Sequence, residues 1–169
     1  MEAAKRYEFT SVGLLSAYAV GVPGKRTFFL AIGDKNNWVR VWVEKEHLQA
    51  LIVAIDQLLS ALEKEHVKVP KGSKTAPPAG DKPQGLPSAE IEVLQMALGY
   101  KEGSAVIEIS GQRVGSQEEN PAEVYCQATL AQLKDLSTLV AAICAAGRPM
   151  CPRCGGPVDP AGHICPEQN

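Results

Sequence analysis

Two hydrophobic periods alternate along this chain, and the switches between them set its organisation. In "NWVRVWVE" (37–44), Val39, Val41 and Val43 alternate with Trp38, Arg40 and Trp42. That period of two predicts a strand with unlike faces. Directly after it, Leu48, Leu51, Ile52, Ile55, Leu58, Leu59 and Leu62 recur three and four positions apart, the stripe of an amphipathic helix. Two more strand-like runs precede these, near 8–20 and at "RTFFLAI" (26–32). The first part of the chain therefore reads as three strands and a helix.

The plan then recurs. "IEVLQMALGY" (91–100), "SAVIEIS" (104–110) and "AEVYCQATL" (122–130) read as strands. A helix follows from about 130 to 146, opened by a Thr129–Gln132 capping box and closed by Gly147 as the left-handed residue past its end. At a constant offset of 85, Val39 meets Val124, Val41 meets Cys126, Leu48 meets Leu133, Leu51 meets Leu136 and Ile55 meets Val140. The matching order predicts a duplicated α+β domain over 1–147, with units 1–66 and 89–147 sharing one sheet system under packed helices. Between them "PKGSKTAPPAGDKPQGLPS" (70–88) is rich in Pro, Gly and Lys. It has little to bury, so 67–88 reads as a linker. Residues 148–169 form a separate tail.

Charge changes this picture only slightly. Residues 1–85 carry 12 Lys/Arg against 9 Asp/Glu, net +3, and residues 86–169 carry 5 against 10, net −5. The total of −2 argues against a histone-like nucleic-acid binder. At 45% hydrophobic residues the chain can fill a core without staples. No apolar run reaches the roughly 20 residues of a membrane helix. "VGLLSAYAVGV" (12–22) imitates a signal core, but Glu2 and Glu8 sit where a basic flank belongs. The expectation is a cytoplasmic protein with no membrane partner.

Candidate chemistry concentrates in "CPRCGGPVDPAGHICP" (151–166). A disulfide knot does not suit a cytoplasmic chain with five cysteines. A redox Cys-x-x-Cys normally opens a helix, and Gly155, Gly156 and Pro157 prevent one here. Cys-Pro-x-Cys-Gly instead has the shape of a zinc knuckle. Gly155 lets the turn tighten so that backbone N–H groups point at sulfur. Cys151, Cys154, His163 and Cys165 would complete a tetrahedron around one structural Zn2+ per chain. With four protein ligands and no water position, the metal would hold the tail together and not catalyse.

The tail also carries a resemblance. "VGVPGKRTFFLAI", "VEKEHLQAL" and "AAGRPMCPRCGGPVDPAGHICP" are similar to the bacterial family named domain of unknown function 3090, over nearly the full length. The resemblance implies a soluble bacterial protein with a metal-binding tail and transfers no activity. Glu167 stands where that family tends to a basic residue, which speaks against phosphate docking at this end.

Other candidates compete with plainer readings. "GVPGKRT" (21–27) falls short of a phosphate loop: Ala19 stands where the first glycine belongs and Arg26 where the hydroxyl belongs. A hairpin turn suffices. Trp38, Arg40 and Trp42, joined by Phe29, would offer a stacking face for single-stranded nucleic acid, with Lys25, Arg26 and linker lysines on the phosphates. The strands-then-helix order is similar to that of bacterial relatives of purine-rich-element binders, which bind single strands. The favoured alternative places both tryptophans in a core, between the units or under the helices, because the chain has only two Trp, four Tyr and three Phe to fill it. His47 and His66 read as surface residues bracketing a helix, Asp34 and Asn36 as a turn, and Cys126 and Cys144 as inert core thiols. No nucleophile–base pair stands out. The chain is thus expected to be a non-enzymatic binding or adaptor module with a protein partner, ahead of nucleic acid, and with an enzyme whose site assembles only in three dimensions as the remaining class.

Overall fold

The computed structural model describes residues 4–34, 36–71, 82–115, 121–146, 151–155 and 164–166. Seven strands form one mixed sheet: β1 (Lys5–Phe9), β2 (Leu14–Val20), β3 (Thr27–Gly33), β4 (Trp38–Val43), β5 (Ala89–Lys101), β6 (Ser104–Arg113) and β7 (Pro121–Ala128). Two helices accompany it, α1 (Lys45–Lys64) and α2 (Leu130–Ala145). The order across the sheet is β1-β7-β6-β5-β4-β3-β2. Three antiparallel strands followed by a helix thus occur twice, and β4 and β5 meet in parallel at the centre. Gly147, the linker residues 72–81 and most of the tail lie outside the described residues.

The segment read as a single strand near 8–20 is two strands at opposite edges. β1 pairs in parallel with β7, and β2 pairs antiparallel with β3. This placement fixes the shape of the sheet. Seven flat strands would set their edges about 29 Å apart at about 4.8 Å per spacing. The chain from Phe9 to Leu14 reaches at most about 18 Å. The sheet must therefore curl. The short connection bridges the gap: the Val12 N–H donates to the Gln127 carbonyl at 3.2 Å and the Gly13 N–H to the Gly33 carbonyl at 3.0 Å.

One face of the sheet packs on both helices. Val39 and Val41 of β4, Ile91 of β5, Ile107 and Ile109 of β6, and Val124 and Cys126 of β7 are buried there. They meet the apolar stripes of α1 (Leu48, Leu51, Ile55, Leu59, Leu62) and α2 (Leu133, Leu136, Val140, Ile143). Burial of this kind stabilises by about 25 cal/mol per Å² of apolar surface, and it is what makes marginal isolated helices hold.

Local sequence starts each helix. Thr129 Oγ1 accepts from the Gln132 N–H at 3.0 Å, while the Thr129 N–H donates to Gln132 Oε1 at 2.9 Å, the expected capping box. Gln132 Nε2 also donates to the Val12 carbonyl at 2.7 Å, tying the helix to the β1–β2 bridge. At α1 the Glu44 N–H donates to His47 Nδ1 at 2.9 Å, so His47 has a capping role. Near the sheet centre, a Cβ on Gly111 would lie 2.1 Å from the Glu92 carbonyl oxygen. Only glycine permits the backbones of β5 and β6 to approach beside the irregularity at Val93–Gln95.

Candidate metal centre

Cys151 to Gly155 form a tight turn in which the Gly155 N–H donates to the Cys151 carbonyl at 2.9 Å. Gly155 takes φ +71°, a left-handed conformation that glycine adopts without a Cβ penalty. The turn brings Cys151 and Cys154 to the same side, and Cys165 approaches from the far end of the tail. The three Sγ atoms lie within 4.8 Å of one another, and Cys151 and Cys165 are 3.9 Å apart. No disulfide links the five cysteines.

These distances suit a shared ion. Tetrahedral bonds of about 2.3 Å to sulfur require sulfurs about 3.8 Å apart, close to the observed pair. Electrostatics point the same way. The backbone N–H groups of Cys154 and then Arg153 aim at the Cys151 sulfur and, with the Cys154 and Cys165 side chains, outweigh burial and lower its thiol to about 6. A thiolate held by backbone donors is the form that ligates metal. Cys151 and Cys165 are buried, and Cys154 is half-buried. The three cysteines could therefore hold a metal ion. His163, the fourth expected ligand, lies outside the described residues.

The remaining two cysteines behave differently. Cys126 is fully buried between sheet and helices, and desolvation pushes its thiol up to about 12. Cys144 is half-buried, and burial also raises its thiol, against the pull of Lys45 and Arg26.

The proposed stacking residues are only partly brought together. Trp38, Arg40 and Trp42 share the face of β4 turned away from the helices, so neither tryptophan lies under a helix. Trp38 is 1% exposed and packs with Tyr18, Phe29 and Ala31. Trp42 is half-buried, its ring edge-on to Phe29 at 5.1 Å. Arg40 stands over the Phe29 and Trp38 rings at 5.4 and 5.6 Å. Its Nη1 donates to Glu90 Oε1 at 2.8 Å, and Trp42 Nε1 donates to the same oxygen at 3.3 Å. The Arg40 charge is thus matched within the chain at the β4–β5 junction.

Lys25 and Arg26 lie in the hairpin turn between β2 and β3, where the Lys25 N–H donates to the Val22 carbonyl at 2.9 Å. Arg26 turns to the helix side. It covers the Phe28 ring at 4.9 Å and donates from Nη1 to the Ile143 carbonyl at 3.0 Å, at the C-terminal end of α2. A cation there satisfies a terminal carbonyl and complements the helix dipole. This role was invisible in the sequence because it joins residues 117 positions apart. Asp34 Oδ1 accepts from the Asn36 and Asn37 N–H groups at 2.9 Å each, a self-sufficient turn.

An α+β body with a curled seven-stranded sheet and a C-terminal cysteine cluster able to hold a metal defines the class of protein. The chain belongs to the family described as protein of unknown function DUF3090, which matches residues 7–165. No curated protein and no solved structure matches it. No helix among the described residues is long and apolar enough to cross a membrane.

Proposed function

We propose that this protein is a non-enzymatic cytoplasmic binding module whose tail is folded by one structural zinc ion. The observation that carries the reading is the trio of Cys151, Cys154 and Cys165 sulfurs within 4.8 Å of one another, at the end of a Cys-Pro-x-Cys-Gly turn. His163 supplies the fourth ligand and leaves no position for a reacting water. Five cysteines, an odd number with three packed in the tail, do not make a secreted disulfide framework and fit a reducing compartment. The two β-β-β-α stretches are read as an internal duplication, supported by the burial of both members of each offset pair, from Val39 with Val124 to Ile55 with Val140.

A protein partner ranks ahead of nucleic acid on charge. The sheet face turned from the helices carries Glu8, Glu90, Glu92, Glu108 and Glu123 against Arg6, Arg40 and Lys101. Such a face repels phosphates. Its polar half holds a depression of about 270 Å³ between residues including Arg6, Glu108, Glu123 and Tyr125, open to a partner of basic character.

Elemental analysis of purified protein tests the metal: about one zinc per chain is expected. Cys151→Ser or Cys154→Ser should abolish it, and His163→Ala should weaken it. A chain that neither carries zinc nor binds it when added would refute the reading. For the partner, intact and Cys151→Ser protein should be compared as baits in the native host. A single-stranded oligonucleotide that quenches Trp42 fluorescence in a salt-sensitive way would put nucleic acid first.

A further inference from the structure

The 3.9 Å separation of the Cys151 and Cys165 sulfurs suits a second chemistry besides ligation. A disulfide requires about 2.05 Å between sulfurs and Cβ atoms about 3.5–4.5 Å apart. The gap of about 1.9 Å beyond a bond is on the scale through which rotation about a Cα–Cβ bond carries a sulfur. The turn itself is held by the Gly155 N–H to Cys151 carbonyl bond, which involves neither sulfur. Access is uneven. Cys151 and Cys165 are 7% and 6% exposed, whereas Cys154 is half-buried. Burial of this degree hinders a second protein thiol more than a small oxidant. An intramolecular bond is then the favoured product.

We propose that Cys151 and Cys165 are a reversible redox couple that, on oxidation by a hydroperoxide, replaces metal ligation by a disulfide. The bond that breaks in the oxidant is O–O. One cysteine sulfur takes the terminal oxygen as a sulfenic acid, and the rest of the peroxide leaves as water or an alcohol. The second sulfur then attacks the first, the S–OH bond breaks, and a second water departs. In sum, two thiols and one hydroperoxide give one disulfide and two molecules of water, or one of water and one of alcohol. The two sulfurs are oxidised and the peroxide oxygens reduced. A metal held by the three cysteines loses two thiolates at once, so it leaves. The disulfide meanwhile keeps the two ends of the tail joined. Loss of the metal rests on the metal reading above; the disulfide does not.

The test uses the full chain treated with hydrogen peroxide. Mass spectrometry of tryptic peptides under non-reducing conditions is informative because cleavage after Arg153 separates Cys151 from Cys165. Two thiols per chain should be lost, fragmentation should place the link between Cys151 and Cys165, and dithiothreitol should restore both. Metal present at the start should be released in step with the link, as read by a chromogenic chelator. The link should form in Cys154→Ser and vanish in Cys165→Ser, and the first of these keeps the test open for a chain that has lost its metal. A linked peptide from a chain that never held metal would support the couple and refute the metal reading alone. Sulfinic or sulfonic acid at Cys151 without a link, a Cys151–Cys154 link, or disulfide-joined dimers would overturn the couple.

Discussion

The body of this protein and its tail are built on opposite physics. In the body, a curled sheet closes over two helices, and dozens of buried side chains share the work. Among the described residues of the tail, three sulfurs converge beside one glycine turn. The cysteines show the contrast most directly. Cys126 in the body is desolvated until its thiol rises to about 12, whereas Cys151 in the tail is stabilised by backbone N–H groups until it falls to about 6. The same side chain is a small hydrophobe in one place and, in the other, a thiolate that could ligate a metal. A distributed core tolerates no single decisive loss of chemistry, only a graded loss of packing. A point-organised tail fails at one atom.

Removing the proposed zinc should break this comparison most visibly. A chelator should strip hydrogen-exchange protection from the tail amides while far-ultraviolet dichroism of the body changes little. Collapse of the body on chelation would show the tail to be part of the core. Next in size, Trp38→Ala should cost about 3–5 kcal/mol in denaturant unfolding through the cavity it opens, with zinc content unchanged. Equal stability of this variant and the wild type would mean that the Tyr18–Phe29–Trp38 cluster contributes nothing to the body.

A smaller effect separates the two kinds of cysteine by pH. The folded Cys126 thiol, at about 12, lies above its ordinary value of 9.0. Folding therefore disfavours the thiolate: the contribution is complete below pH 9.0 and is lost as pH rises from there towards about 12. Over that window wild-type stability should fall by about 1.4 kcal/mol per pH unit more than that of Cys126→Ala. Cys151 has the opposite shift. While the Cys151–Gly155 turn is intact and no metal covers the sulfur, it should be alkylated near neutral pH and lose reactivity as pH falls through about 6; a turn that loosens with the metal should return it to the ordinary thiol range. Identical alkylation profiles for Cys126 and Cys151 would erase the distinction. Smallest of all, Thr129→Ala should cost about 1 kcal/mol by removing the cap of α2, read as a shift in the unfolding midpoint.

Much of the body could be read from the chain because its signals are local. The alternation Val39–Val41–Val43 and the stripe from Leu48 to Leu62 each report a buried face through their period alone, and both faces are buried as expected. Thr129 and Gln132 stand three apart, so their capping box depends on nothing distant. The tail spacing was equally telling, because a Cys-Pro-x-Cys-Gly turn converges two thiols whatever precedes it, and Cys165 joins them.

What the chain determined by itself was therefore the kind of each element, the faces to be buried and the thiols to be gathered, since all of these follow from periods and turns a few residues long. Tertiary structure decided the rest. It split residues 5–20 between the two edges of the sheet, because β1 finds its hydrogen bonds on β7 and β2 on β3. It matched Arg40 with Glu90 and sent Arg26 to the end of α2, removing both from any shared cationic surface. It also demanded a glycine at 111, where two backbones nearly touch. Each of these outcomes joins groups far apart in sequence, and no local pattern carries the free energy of a contact whose partner the pattern does not contain.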